Sequence, residues 1–483
     1  MSLTFYNTLS RKKEAFKSLK KGVVGLYTCG PTVYNYAHLG NLRTFVFEDI
    51  LKRVLRYNGF EIKHVMNITD VGHLTGDRDM GEDKLAAGAR REGKSAWDIA
   101  KFYEAAFRQD LAALNISEPN IWCKATDHIK EQIALIKKLE DKGFTYQTSD
   151  GIYFDTAKFK NYNQLSHLKL SELKEGARVE KNKEKKNPTD FALWKFSIPH
   201  SDPLLGKERE IKGKRQMEWA SPWGQGWPGW HIECSAMSLK YLKNNLDIHC
   251  GGIDLINIHH TNEIAQSEAA TGQPFFNYWL HGAFLNIVGG KKMAKSAGNF
   301  LTLDKALINK NINPLVYRFA CLQVHYRKPM EYSQEIIANA QKGLEHLYNQ
   351  VREIPNYKSS SFAKASEDKQ IPNLKFRAKF LAAINDDLNL PQALAIVQEV
   401  LKSRLSNREK LATLLDFDQV LGLNLKMALK EINVPAAVTK LVEARETARK
   451  NKGWQQADEL REKITAAGYM IEDSAGGARL SKK

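Results

Sequence analysis

The chain has 483 residues, 43% apolar and 26% charged, enough to bury a large core and divide into two to four domains. No uninterrupted apolar stretch reaches the roughly 18 residues that cross a bilayer, and the N-terminal MSLTFYNTLSRKKEAF turns basic too early for a signal peptide. These features exclude a membrane-embedded class and predict a cytoplasmic protein. The formal charge of +17, from 72 basic against 55 acidic side chains, attracts a polyanion, though a lysine-rich surface gives the same number.

In chain order, Lys21–Cys29 reads as a buried strand that Pro31 and Thr32 interrupt. Val46, Ile50, Val54 and Tyr57 recur at helical spacing and predict a helix over Leu42–Asn58, with Gly59 as its C-cap. Ile62–Ile68 is a second strand, so a βαβ unit on a parallel sheet follows. Ala96–Leu114 and Asp127–Lys142 are predicted helices outside that sheet. Glu172–Asp190 and His200–Met217 are charged surface excursions. Asp247–His260 reads as strand then loop, and Trp279–Ile287 leads into a lysine-rich loop. Beyond Pro314 the pattern is helical, broken by a linker at Ser359–Pro372 and resuming over Leu374–Arg404. A small unit over Pro435–Leu480 closes the chain. There Trp454, Ala457, Leu460 and Ile464 share a helix face that packs on Val438, Leu441 and Val442. This spacing puts Trp454 in the core; stacking on a base is the alternative.

Two segments carry phosphate chemistry, and neither is a P-loop or a dinucleotide fingerprint. His38-Leu39-Gly40-Asn41 sits just before the first helix, where backbone N–H groups and the helix dipole favour an anion. Gly40 leaves room for close approach; helix capping is the competing role. Lys292 and Lys295 lie between Gly289-Gly290 and Ala297-Gly298, in a loop free to bring two ammonium groups to a leaving pyrophosphate.

The metal signal is stronger. His259 and Glu263 are four apart, Cys234 precedes them by 25 residues, and Cys29 ends the first strand, where open α/β sheets bind ligands. All are ordinary zinc ligands, and the five cysteines (29, 123, 234, 250, 321) are too scattered for a disulfide framework. His249 and Cys250 compete for the same role.

Together these segments resemble the class I aminoacyl-tRNA synthetases, and within them the cysteinyl branch. YTCGPTVYNYAHLGN at 27–41 holds a form of the HIGH signature, and KMAKS at 292–296 is similar to KMSKS. NITD at 67–70, WHIECSAMS at 230–238 and HCGGIDLINIHHTNEIAQS at 249–267 carry the cysteinyl likeness, which covers essentially the whole chain.

The resemblance implies an α/β fold: a Rossmann-like catalytic domain over 1–313 with a connective insertion near 115–225. A helical tRNA-binding bundle over 314–432 and an anticodon-recognition domain over 433–483 complete it. It implies one Zn²⁺ on Cys29, Cys234, His259 and Glu263, with Mg²⁺ accompanying ATP. His38, Gly40, Asn41, Lys292 and Lys295 would handle ATP phosphates, while Gly251, Gly252 and Asp254 shape the adenosine side. Cys29, Thr69 and Trp230 would line the cysteine pocket. The implied partners are tRNA(Cys), ATP and L-cysteine, acting on a monomer. Arg318, Arg327 and Lys328 are candidate tRNA phosphate contacts. Asn41 replaces the family's second histidine, Ala294 replaces a serine, and Thr261 stands where a carboxylate is often found. The rival readings are a cysteine ligase acting on a small amine and a zinc-stabilised RNA-binding protein without catalysis.

Overall fold

The computed structural model describes residues 2–72, 84–167, 183–197, 216–243, 246–287, 291–292, 300–354, 371–429, 435–474 and 477–482. A hairpin, β1 (Thr4–Asn7) and β2 (Lys12–Ala15), opens the chain. The expected βαβ unit follows as β3 (Val23–Thr28), α1 (Leu39–Tyr57) and β4 (Glu61–Ile68), with β3 and β4 parallel. Helix α1 starts three residues earlier than apolar spacing suggested, because His38 caps it. Next come α2 (Lys84–Glu92), α3 (Ala96–Ala113), β5 (Ile121–Lys124) and α4 (Ile129–Asp141). Strand β5 pairs parallel with β4, so 121–124 extends the main sheet although the sequence reading assigned it to the insertion.

Strands β6 (Thr145–Thr148), β7 (Gly151–Phe154), β8 (Phe191–Phe196), β9 (Trp219–Ser221) and β10 (Gly224–Pro228) form a separate antiparallel sheet. The chain then re-enters the main sheet through α5 (Trp230–Leu242), β11 (Leu246–Gly252), α6 (Thr261–Thr271) and β12 (Phe276–Gly282). The parallel sheet runs β12-β11-β3-β4-β5. Its order reverses between β3 and β11, and the crevice beyond their carboxyl ends is where such sheets bind ligands. Side chains alternate between two clusters. Val24, Leu26, Met66, Ile68, Ile248 and Leu280 pack with α1, whereas Tyr27, Val65, Phe276 and Trp279 pack with Cys234 and Met237 of α5. Burial on both faces explains the near-continuous apolar strands.

Beyond β12, β13 (Leu285–Ile287) pairs antiparallel with β14 (Lys291–Lys292) and parallel with β15 (Met330–Tyr332). Helices α7 (Leu303–Ala306) and α8 (Leu315–Leu322) lead into α9 (Gln334–Arg352), α10 (Leu374–Asn385), α11 (Leu390–Lys402), α12 (Asn407–Leu421) and α13 (Leu425–Ala428). The last unit pairs α14 (Ala436–Lys450) and α15 (Trp454–Ala466) with a terminal hairpin, Tyr469–Ser474 and Gly477–Lys482, absent from the sequence reading. Among the described residues no helix is long and apolar enough to cross a membrane.

Two arginines expected to touch tRNA are instead struts of the domain junction. Arg318 is fully buried; it pairs with Asp49 of α1 at 2.7 Å and donates to the carbonyls of Leu421 (2.8 Å) and Leu114 (3.2 Å). Arg327 lies over the Tyr6 ring and is committed to buried Asp387 at 2.6 Å. Of the three candidates Lys328 alone is exposed. The sequence reading missed this because Arg318 of α8 is buried against Asp49 of α1 and the end of α12, a packing that charge spacing does not reveal.

Burial would raise the Asp49 carboxyl, but Arg318 and Arg53 outweigh it and hold it at about 2, below the usual 3.8. Its contribution to stability is therefore complete above about pH 4 and lost as pH falls toward 2. Arg318→Met leaves that buried charge to Arg53 and Ser117 and is expected to cost about 3 kcal/mol in urea denaturation, with Asp49→Asn in the same chain restoring most of the loss. Equal stability of Arg318→Met and the parent would contradict the strut.

Candidate active site and metal centre

The phosphate end is built by the start of α1. His38 is the N-cap: its Nδ1 accepts the Asn41 backbone N–H at 3.0 Å, and Asn41 Oδ1 accepts the His38 backbone N–H at 3.2 Å. This reciprocal box satisfies two helix-end donors. Capping and ligand binding are thus compatible, since an accepting Nδ1 places the neutral ring's hydrogen on Nε2. The space beside Gly40 is filled by that ring; a Cβ there would lie 2.9 Å from His38 Cε1. Gly40 accommodates the cap, and it does not line the cavity.

A cavity of about 280 Å³ opens at the carboxyl ends of β3 and β11. His38 and Asn41 line it together with Thr69, Trp230, Gly252 and Asp254, and Cys29, Cys234 and His259 lie on its wall. Gly251 does not line it. A Cβ there would meet Leu255 Cδ1 at 2.7 Å and His260 Cε1 at 2.9 Å, so its small size lets the histidine turn pack on β11.

That turn is the structural device of the metal centre. Between β11 and α6 the chain forms a single π-helical turn, Ile256–His260, where the sequence suggested a loop. Such wide turns offset the helix register and are frequent at functional sites. His259, His260 and Glu263 all become buried. Donor atoms of Cys29, Cys234, His259 and Glu263 lie within 4.8 Å of one another. The two sulfurs are 4.0 Å apart, Cys29 Sγ is 3.9 Å from Glu263 Oε1, and His259 Nε2 is 3.0 Å from the same oxygen.

The four groups shift one another's titration. Burial would raise Glu263, but His249 and His259 draw it down to about 2. Burial would likewise raise Cys234, yet hydrogen bonds from Cys29 and His259 bring it to about 7. Against its own desolvation, His259 is pushed up to about 10 by Glu263 and Cys234. Two sulfurs, an imidazole and a carboxylate converging in one buried cluster suit zinc, whose binding would displace the protons that Cys29 and His259 otherwise hold.

The chain's likeness to known proteins agrees with this site. Residues 15–342 match the family model described as the tRNA synthetases class I (C) catalytic domain, and residues 433–479 match the cysteinyl-tRNA ligase anticodon binding domain. Cysteine–tRNA ligase 1 of Burkholderia lata is 47% identical over 481 residues, spanning 99% of this chain and 97% of the relative. The chain belongs to the cysteine–tRNA ligase family. It is therefore an ATP-dependent ligase. The cysteine–tRNA ligase of Treponema denticola is 44% identical over 501 residues, covering 99% of both chains. Methionyl-tRNA synthetase of Mycobacterium tuberculosis, solved with methionyl-adenylate, shares the fold at TM-score 0.53 and 15% identity, over 90% of this chain and 96% of that one.

Within this ligase family member, a second donor set overlaps the first: Cys29, His249, His260 and Glu263. His249 was a candidate from sequence, and its Nε2 lies 3.1 Å from Glu263 Oε2. Its ring stacks on Trp279, and neither His249 nor His260 lines the cavity. Of the two sets the first faces the cavity, through Cys29, Cys234 and His259. Cys250 is buried and belongs to neither set.

His231, whose Nδ1 is 3.0 Å from His259 Nδ1, and Glu233, which accepts the Thr69 hydroxyl at 2.8 Å, were missed from sequence. His231, Glu233 and Cys234 occupy one turn of α5, and that local spacing was the available signal. Lys292 is placed by the backbone pairing of β14 with β13, whereas Lys295 lies outside the described residues. Trp454 corrects the sequence reading: it is 58% exposed, with the Arg449 guanidinium 5.7 Å from its ring. Val438, Ile464, Tyr469 and Ile471 form that unit's core, because the terminal hairpin covers the α14–α15 pair where Trp454 was expected.

Proposed function

We propose that this ligase activates L-cysteine with ATP and esterifies the product to the 3′-terminal ribose of tRNA(Cys). The observation that carries the reading is one cavity with the His38/Asn41 cap on one wall and Cys29, Cys234 and His259 on another. In the first step a cysteine carboxylate oxygen attacks the α-phosphorus of ATP and pyrophosphate leaves; Mg²⁺ accompanying ATP would offset the phosphate charge. The carboxylate is ionised at neutral pH, so no general base is needed. His38 donates from Nε2 to a phosphate oxygen, Asn41 and the helix start add N–H groups, and Lys292 and Lys295 carry the charge of the leaving group. Asp254 and Gly252 receive the nucleoside. In the second step the ribose hydroxyl attacks the adenylate carbonyl and AMP leaves.

Cys29, Cys234, His259 and Glu263 would hold zinc, which would supply a borderline-soft Lewis acid that favours a thiolate over a hydroxyl. Trp230, whose ring lies 4.3 Å from that of His259, and Thr69 shape the space beside it. The domain assignment follows: catalysis over 1–313, tRNA corner over 314–432, anticodon over 433–483. Cysteine-dependent ATP–pyrophosphate exchange followed by tRNA charging tests the whole. Exchange without charging would favour a small-amine ligase.

Trp454 offers an exposed ring for base stacking. Trp454→Ala is expected to lower kcat/KM for tRNA charging by about 1–3 kcal/mol while leaving pyrophosphate exchange intact. Retention of charging by Trp454→Phe but not by Trp454→Ala identifies stacking; full charging by Trp454→Ala would exclude it.

A further inference from the structure

We propose that Arg43 is a positioning residue for adenylate formation: its guanidinium fastens the strands that place Lys292 to the helix that His38 caps. The proposal rests on the phosphate roles given to those two residues above. Arg43 follows the His38 cap within the first turns of α1 and is buried. Its Nη1 donates to the carbonyls of Ala283 (2.8 Å) and Phe284, and its Nη2 donates to the carbonyl of Lys328 at 2.5 Å. Ala283 and Phe284 lead directly into β13, and Lys328 leads into β15. The fork therefore grips both parallel strands at their root. There Ala283 N–H also donates to the Tyr326 carbonyl (2.8 Å) and Met330 N–H to the Phe284 carbonyl (3.0 Å). Strand β14 is the edge of this sheet and takes its place from β13, where Lys292 pairs with Asn286.

The far flank of the lysine segment is tied to the same helix. Leu39 N–H donates to the Leu301 carbonyl at 2.9 Å, and the Tyr317 hydroxyl donates to the Leu39 carbonyl at 2.6 Å. Both flanks are thus held against the start of α1, where the phosphate cap sits. A brace alone does not call for a cation. The titratable side chains that act on Arg43 are Cys321 and Tyr317, neither of them a carboxylate. Burying a charge without a counterion is costly. A planar fork offsets that cost with charge-assisted hydrogen bonds to two strands at once, which neither an apolar side chain nor the point charge of a lysine reproduces. Arg43 does not line the cavity; it acts through Lys292.

Cysteine-dependent pyrophosphate exchange by the full-length enzyme, in a double-mutant cycle of Arg43 with Lys292, tests this. Arg43→Met is expected to lower kcat by about 10²-fold, the cost of misplacing a reacting group by roughly 1 Å. KM for cysteine is expected to stay at the parental value, because the Thr69/Trp230 wall is untouched. Arg43→Lys keeps the charge without the fork; it is expected to lose nearly as much kcat, and it serves if Arg43→Met does not fold. Combined with Lys292→Ala, either change is expected to fall about 10-fold short of the product of the single losses, since the group it positions is gone. A combined loss equal to that product would overturn the positioning role, as would parental kcat in Arg43→Lys. Parental kcat in Lys292→Ala would overturn the phosphate reading itself, and the role of Arg43 with it.

Discussion

Cys234→Ser is expected to lower kcat/KM for cysteine in pyrophosphate exchange by roughly 100-fold or more, a loss at least as large as outer-shell changes at metal sites produce. Cys234 is buried and already drawn toward thiolate by Cys29 and His259. Serine has nearly the same shape but a much less acidic hydroxyl, so the substitution removes charge and softness while sparing the packing around Met237 and Tyr27. Preference for cysteine over serine is expected to fall as well, toward the roughly 10–200-fold that pocket shape alone supplies. Cys321→Ala is the control: Cys321 is buried in α8, outside both donor sets, and its loss is expected to affect stability only. Exchange kinetics with both amino acids, and zinc content of each variant, provide the check. A Cys234→Ser enzyme with full zinc and unchanged preference would remove Cys234 from the ligand set.

His38→Ala is expected to show two separable losses. The first is the cap, worth about 1 kcal/mol of stability. The second is the Nε2–H donor to phosphate, worth roughly 10²–10³ in kcat on the scale of other lost transition-state donors. His38→Asn separates them, because asparagine caps the helix through its own carbonyl but does not reach as far into the cavity. Its melting temperature is expected near that of the parent, with kcat as low as in His38→Ala. Recovery of kcat by His38→Asn would reduce His38 to a cap. Asn41 belongs to the same box, so the amide that replaces the family's second histidine holds the first one in place.

What was legible in the sequence depended on how local the cause was. Strand β3 is a short apolar run whose burial on both faces is written in its composition, and β4 becomes one from Val65 onward. Cys234 and the His259/Glu263 pair could be found because each lies within a short helical stretch. Cys29, at the end of a strand, and His249, as a competitor, were also legible, whereas His260 and His281 were not: His260 comes from the π-turn and His281 from β12, and only the sheet and that turn bring them together. Charged residues misled for the same reason: Arg318 and Arg327 resemble surface arginines until α1, α12 and the 386–388 turn close over them. Trp454 misled through its spacing with Leu460 and Ile464, since the terminal hairpin and not the tryptophan completes the core.

In the proposed function the thiolate-binding metal, and not the shape of the pocket, selects the amino acid. The most direct measurement is the ratio of kcat/KM for cysteine to that for serine in pyrophosphate exchange, with the enzyme zinc-loaded and after chelation. A large ratio is expected for the loaded enzyme, collapsing on metal removal and returning with added zinc. An unchanged ratio in the metal-free enzyme would contradict it.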